Sequence, residues 1–337
     1  MIIALSIIGG LILLVFGADA LVRGSSELAF KLGIPPLIIG LTVVAFGTSA
    51  PELAVSVRAA LAGEAGVGLG NVFGSNIVNV LLILGVSAMI TPLVVSPQLV
   101  KFDVPIMILV SVATLVMAFD GLYSRIDGAL LVIGLVCYLG LQIYLGRSGR
   151  DALLELTAVG DQADLAKSTT DGKSKRSPDR AILVAIAQCI LGLGGLVVGA
   201  HFLVIGAVDL ATRFGVSEEI VGLTVVAIGT SLPEIVTSVV AAIRGQLDLA
   251  VGNVVGSNLF NLLVVLGVAS LVAPASIEVA ESLRRFDLPV MLAAAVICFP
   301  IFATGKSISR WEGALMLVGF LAYNAYQLYS LESTPGG

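Results

Sequence analysis

Residues 38–86 recur at 220–268 without a gap. The first stretch reads IIGLTVVAFGTSAPELAVSVRAALAGEAGVGLGNVFGSNIVNVLLILGV and the second IVGLTVVAIGTSLPEIVTSVVAAIRGQLDLAVGNVVGSNLFNLLVVLGV. About 28 of the 49 positions are identical. The match extends outward. Gly17–Ala18 pairs with Gly199–Ala200, Phe102–Asp103–Val104–Pro105 with Phe286–Asp287–Leu288–Pro289, and Ser124–Arg125 with Ser309–Arg310. The chain is therefore one structural unit present twice. The number of elements inside the unit decides how the two copies face each other.

Those elements are apolar runs near 2–22, 34–61, 68–92, 103–119 and 127–146, then 181–206, 216–243, 247–273, 285–304 and 312–330. Each is long enough, or nearly so, to cross a bilayer as a helix. Lipid offers no partner for free backbone polar groups, so helices are expected throughout. The first run starts at Ile2 with no basic stretch before it, and so reads as a span rather than a leader. Composition excludes a water-soluble globule. The chain is 58% hydrophobic and 12% charged, with mean hydropathy +1.07, where soluble domains are nearer half apolar and one quarter charged. Its 38 glycines suit close helix packing in lipid.

Five spans per unit is an odd number, so the second copy starts on the opposite membrane face. The expected fold is an all-α polytopic membrane protein, with ten transmembrane helices as two inverted five-helix repeats. Residues 1–147 form the first and 181–337 the second. The polar stretch 148–180 is expected to be a mobile cytoplasmic linker. With both termini outside, 13 of the 18 Lys and Arg fall on the cytoplasmic side, as the positive-inside rule asks. Most of that excess lies in the linker. Inverted repeats are typical of secondary transporters, with the site near the midplane between the repeats.

Other classes find little support. The basic residues are scattered and make no nucleic-acid footprint. Cys137, Cys189 and Cys298 lie far apart in apolar runs and read as small buried hydrophobes.

Polar identities cluster inside the apolar spans. One cluster is Gly47-Thr48-Ser49-Ala50-Pro51-Glu52, with its mate Gly229-Thr230-Ser231-Leu232-Pro233-Glu234. The other runs from Gly70-Asn71 through Gly74-Ser75-Asn76 to Asn79, with its mate from Gly252-Asn253 through Gly256-Ser257-Asn258 to Asn261. Glu52 and Glu234 lie deep within their spans, where a carboxylate needs an internal cavity and a counter-charge. No Lys or Arg lies at comparable depth; Arg58 and Arg244 stand toward span ends, where their stems can snorkel. The expected counter-charge is an exogenous cation. Pro51 and Pro233 each remove a helical hydrogen bond, which is expected to free carbonyls near Ala45–Thr48 and Ala227–Thr230. Hard cations take such oxygens together with hydroxyls and carboxylates. Ser75 and Asn79, like Ser257 and Asn261, are four apart and share a helix face. Asn71, Asn76, Asn253 and Asn258 serve either the site or helix–helix hydrogen bonding. The small-residue faces at Gly70, Gly74, Gly252 and Gly256 read as packing. Asp19 and His201 are equivalent positions, for which a proton relay competes with an ordinary interfacial role. Asp103 and Asp287 are expected to cap helices, and Asp127 and Glu312 to be helix-start charges. An intramembrane hydrolase using Ser49 or Ser231 lacks a base, since the one histidine has no repeat mate.

The paired GTS-x-PE and GN-x-x-GSN segments resemble the two alpha repeats of the sodium/calcium exchanger family, within the cation/calcium antiporter superfamily, in its prokaryotic form. The resemblance covers both halves and essentially all the chain outside the linker. It implies ten inverted helices whose spans 2, 3, 7 and 8 hold a central diamond of ion sites. By that resemblance, Ca²⁺ is held by Glu52 and Glu234 with the carbonyls of Thr48 and Thr230. Na⁺ uses both glutamates, Ser49, Ser75, Ser231, Ser257, the threonines and the carbonyls of Ala45 and Ala227, with Asn79 and Asn261 beside them. Spans 1 and 6 slide across this core. The ions are cargo, no cofactor is implied, and lipid is the other partner. The implied activity is Na⁺/Ca²⁺ antiport in the plasma (inner) membrane, electrogenic at about three Na⁺ per Ca²⁺; Ca²⁺/H⁺ antiport on the same carboxylates is the alternative. K⁺-dependent members carry Asp where Asn261 stands, so little K⁺ dependence is expected here.

Overall fold

The computed structural model describes residues 2–164, 178–213 and 227–333. In chain order the helices are α1 (Ile2–Leu32), α2 (Pro36–Thr48), α3 (Ala50–Ala62), α4 (Gly66–Ile90), α5 (Leu99–Asp120) and α6 (Arg125–Asp164). The second half has α7 (Pro178–Arg213), α8 (Ala227–Thr230), α9 (Leu232–Ile243), α10 (Leu247–Val272), α11 (Leu283–Ala303) and α12 (Arg310–Ser333). Among the described residues, seven helices are long and apolar enough to cross a membrane; the bent pair α2–α3 makes an eighth. That is fewer than the ten expected. Part of the expected span 216–243 lies outside the described residues. The expected last span is helical as α12 but stands outside that group. The expected linker is also modified: helix α6 runs on to Asp164, while residues 165–177 lie outside the described residues.

The helices fall into two layers. α10 is buried over 89% of its apolar window, and α4 over 67%, against 22% for α6 and α7. The outer helices present Phe16, Phe30, Leu109, Ile126, Leu191 and Leu321 outward. Apolar side chains outside and polar ones at the centre suit lipid as the solvent. Cys137 belongs to this outer surface rather than to the core, unlike the buried Cys189 and Cys298.

Contacts between the halves are exchanged in pairs. Four two-residue strands, unforeseen from the sequence, form two antiparallel ladders. Leu93 and Val94 pair with Ile308 and Ser307, and Leu122 and Tyr123 with Glu278 and Ile277. Each ladder joins one half to the other. A Cβ on Gly128 would meet the carbonyl of Gly267 at 2.7 Å, and one on Gly313 would meet that of Gly85 at 2.8 Å. Thus α6 packs on α10 as α12 packs on α4.

Asp103 and Asp287 are not helix caps. Each ends a widened, π-type turn, Leu99–Asp103 or Leu283–Asp287, and each is buried. Asp103 accepts from Gln142 (2.5 Å), Tyr138 (3.2 Å) and Gln98 (3.3 Å). Asp287 accepts from Tyr323 and Gln327, both at 2.6 Å. A buried carboxylate needs such donors. These clamps tie α5 to α6 and α11 to α12. Asp103→Ala is expected to lower stability by roughly 2–3 kcal/mol, because it strands Gln142 and Tyr138. Thermal unfolding in detergent measures this, and an unchanged midpoint would remove the clamp's structural role. Asp127 and Glu312 do start helices, accepting from the Ser124 and Ser309 backbone N–H at 2.8 Å.

Candidate ion-binding site

The two polar clusters meet at the centre of the inner layer. Pro51 cannot donate to the preceding turn, and the helix breaks at Ser49 (φ −81°, ψ 4°), bending α2 from α3 by 44°. Ser231 has the same conformation before α9 (φ −86°, ψ 4°). Each serine stands at an N-cap position yet caps nothing. Instead Ser49 Oγ donates to Glu234 Oε1, and Ser231 Oγ to Glu52 Oε1, both at 3.2 Å. Each half's break thus serves the other half's glutamate. Forgoing a cap costs about 1 kcal/mol, a cost that holding the opposite carboxylate must offset.

Glu52 and Glu234 are both fully buried, at 0% exposure. Their Oε2 atoms have no hydrogen-bond partner. Each lies in the first turn of its helix, where the backbone N–H groups favour negative charge. Arg244 does not simply snorkel: it pairs with Asp19, which also holds Arg23 at 3.0 Å. Asp19 is therefore part of an ion-pair cluster. His201 is exposed, with its ring tilted by 59° to that of Phe202 at 6.0 Å between centroids.

Around the glutamates stands a shell of neutral oxygens. Ser75 Oγ lies 3.1 Å from Ser231 Oγ. Thr48 Oγ1 is 3.5 Å from Ser257 Oγ and 3.1 Å from Asn253 Oδ1. Thr230 donates to Asn71 Oδ1 at 3.1 Å. Asn79 is the second residue of a widened turn, Val78–Leu84 in α4, and Asn261 opens another, Asn261–Leu266 in α10; such π-bulges often accompany functional sites. Asn79 Nδ2 bonds Asn258 Oδ1 at 3.0 Å, leaving its own Oδ1 unpartnered. Asn261 is fully buried with both amide atoms unpartnered. The freed carbonyl expected at Ala45 is not observed, since it accepts from Ser49 N (3.0 Å) and Thr48 Oγ1 (3.3 Å). Ala227 opens the four-residue α8. Beside Ser49, a crevice of about 10 Å³ is lined by Phe46, Ala50, Leu53, Phe260 and Val264. It is about large enough for one water molecule. The small-residue faces divide. A Cβ on Gly256 would meet Leu41 O at 2.7 Å, whereas Gly70 and Gly74 have nothing within 4 Å. The repeat mates of Leu37 and Leu41 lie outside the described residues.

Two buried carboxylates, unpartnered acceptors and a surplus of hydroxyl oxygens form a ligand set for a hard cation. Among the described residues no group of three His, Cys, Asp or Glu side chains gathers as a soft or transition-metal site would require. The model of the sodium/calcium exchanger protein family matches residues 2–144 and 184–329. The chain belongs to the sodium/calcium exchanger family. The exchanger is 38% identical to the inner membrane protein YrbG of Escherichia coli, across 97% of this chain and 96% of that one. It is 34% identical to the sodium/calcium exchanger MaX1 of Methanosarcina acetivorans, across 95% and 97%. The solved structure of the sodium-calcium exchanger NCX_Mj, soaked with 10 mM Na⁺ and zero Ca²⁺, superposes with a TM-score of 0.80 at 30% identity, across 96% of this chain and 98% of that one. The exchanger is thus an all-helical integral membrane transporter of the cation/Ca²⁺ antiport type, not an enzyme, and its ions are cargo rather than cofactors.

Proposed function

We propose that this exchanger moves Ca²⁺ against Na⁺ by alternating access, with Glu52 and Glu234 as the charged ligands. The observation that carries the reading is the pair of fully buried glutamates, each with one carboxylate oxygen lacking any donor. Thr48, Thr230, Ser49, Ser231, Ser75, Ser257, Asn79 and Asn261 supply neutral oxygens, with the backbone carbonyl at Ala227 beside them. Two carboxylates neutralise one Ca²⁺. Three Na⁺ in the same core leave one positive charge, so exchange at about three to one is electrogenic. The names of MaX1 and NCX_Mj favour Na⁺ as the coupling ion. The hydroxyl shell does so too, since a proton would need only the glutamates.

Ten spans in inverted five-plus-five order fit the exchanged contacts between the halves. An inner-membrane location with both termini outside and 148–180 cytoplasmic fits the distribution of Lys and Arg. The decisive experiment is Ca²⁺ uptake into proteoliposomes under an imposed Na⁺ gradient, a proton gradient, or neither. Uptake is expected with Na⁺ alone and without K⁺, because Asn261 provides no third carboxylate. Uptake driven only by protons would replace this reading with Ca²⁺/H⁺ antiport, and a K⁺ requirement would overturn the role given to Asn261.

A further inference from the structure

Four buried asparagines on α4 and α10 form two pairs of repeat mates, Asn76 with Asn258 and Asn79 with Asn261. The serine contacts at the glutamates are matched between the halves, since Ser49 bonds Glu234 as Ser231 bonds Glu52. The asparagines break that match. Asn79 Nδ2 donates to Asn258 Oδ1 at 3.0 Å. The mirror-image bond would run from Asn261 Nδ2 to Asn76 Oδ1, and both of those atoms are buried without a partner. The free end of Asn76 is its oxygen, because its Nδ2 donates to the Val72 carbonyl at 2.8 Å and a carbonyl only accepts. Asn258 instead directs its Nδ2 across to α5, at Met107 Sδ (3.6 Å). The two remaining orphans, Asn79 Oδ1 and Asn261 Oδ1, are equivalent to each other.

Orphaned buried amide ends are costly, and here the unmatched pair is complementary: one donor and one acceptor. The halves follow one sequence plan, so each can hold the conformation that the other holds. Exchanging those conformations turns an inverted repeat to face the opposite side. We propose that Asn79–Asn258 and Asn261–Asn76 are alternating amide latches between α4 and α10, one closed in each access state, with Asn76 and Asn258 as positioning residues. The inference rests on the antiport reading above and deepens it. Each state keeps one latch and leaves the other open, so the latches favour neither state. An antiporter needs that balance, because an ion binds at each face in proportion to the population open there. Asn79 Oδ1 and Asn261 Oδ1 stay free of protein donors in both states, as ion ligands must.

The ratio of the Ca²⁺ KM at the two membrane faces, measured in vesicles of known sidedness, tests this. Each KM falls as the state open to that face gains population. Asn258→Ala removes the latch closed here and is expected to move the ratio about fivefold, the worth of one buried hydrogen bond. Asn76→Ala costs this state only a bond within its own helix, but costs the exchanged state its latch. It should move the ratio about fivefold the other way. The double variant loses one latch from each state and should return to the wild-type ratio. A purely structural role would weaken both faces alike and compound in the double variant. Single variants that move the ratio in the same direction or not at all, or a double variant that does not restore it, overturn the inference. Should alanine prevent insertion into the membrane, Asn258→Ser and Asn76→Ser apply the same criterion. Glu52→Gln in the same vesicles separates the two levels. Uptake that survives it defeats the ion-site reading itself, whereas uptake lost there with an unmoved ratio in the asparagine variants defeats only the latches.

Discussion

Glu52→Gln is expected to reduce Na⁺-driven Ca²⁺ uptake by at least about a hundredfold, and Glu234→Gln to do the same. Glutamine keeps the shape and can still accept from Ser231 or Ser49, so the packing around the break is preserved. What is lost is one of two charges facing a divalent ion in a site with no exposure to solvent. Removing one partner of a buried charge pair typically costs about 3–5 kcal/mol, which is roughly two to three and a half decades in affinity or rate. The exchanged geometry requires equal effects from the two substitutions, since each glutamate has the same serine at the same 3.2 Å from the opposite half. Glu64 lies exposed at the start of α4, and Glu64→Gln should leave uptake unchanged. Transport within twofold of wild type for either buried variant would remove that glutamate from the site.

The duplicated glutamates were legible in the sequence because depth in an apolar run and repetition are both one-dimensional properties. So were the break at each Pro and the neutral Ser and Asn oxygens near it. Which residues meet was not legible. A repeat says that Ser49 and Ser231 are equivalent; it does not say that each bonds the other half's glutamate. The four-residue interval from Ser75 to Asn79 also says nothing of partners: Asn79 bonds Asn258 while Ser75 meets Ser231. Asp103 and Asp287 looked like caps because they precede a proline. Their partners Tyr138 and Gln142, or Tyr323 and Gln327, stand some forty residues away. The clue was there: both acids and both Tyr-x-x-x-Gln pairs occur twice.

Replacing Gly17 with leucine is expected to destabilise the exchanger by about 3 kcal/mol and to abolish transport, whereas leucine at Gly9 should do neither. Gly10, Gly17 and Gly24 fall at heptad spacing on α1, and their repeat mates Gly192, Gly199 and Gly206 fall likewise on α7. A Cβ on Gly17 would lie 2.8 Å from Gly192 O and Leu196 N, and one on Gly192 2.6 Å from Leu21 N. A Cβ on Gly10 would lie 2.7 Å from Leu203 N, and one on Gly199 2.8 Å from Leu14 N. The two helices therefore run antiparallel with backbone against backbone, the close approach that small residues permit in membranes. The clashing atoms are main chain and cannot rotate away, so the helices must separate along the seam, at the usual cost of overpacking. Helix propensity works in the opposite direction, since any side chain is favoured over glycine by up to about 1 kcal/mol, but the clash is larger. Gly9 has nothing within 4 Å of its Cβ position, which makes Gly9→Leu a control on the same helix for added bulk. If α1 and α7 move as one body over the core, parting them removes the coupling between the two access routes. Thermal unfolding in detergent and uptake in vesicles read the two effects separately. A Gly17→Leu protein as stable as Gly9→Leu would show that the seam tolerates separation. One that is destabilised yet transports normally would show that α1 and α7 need not move together.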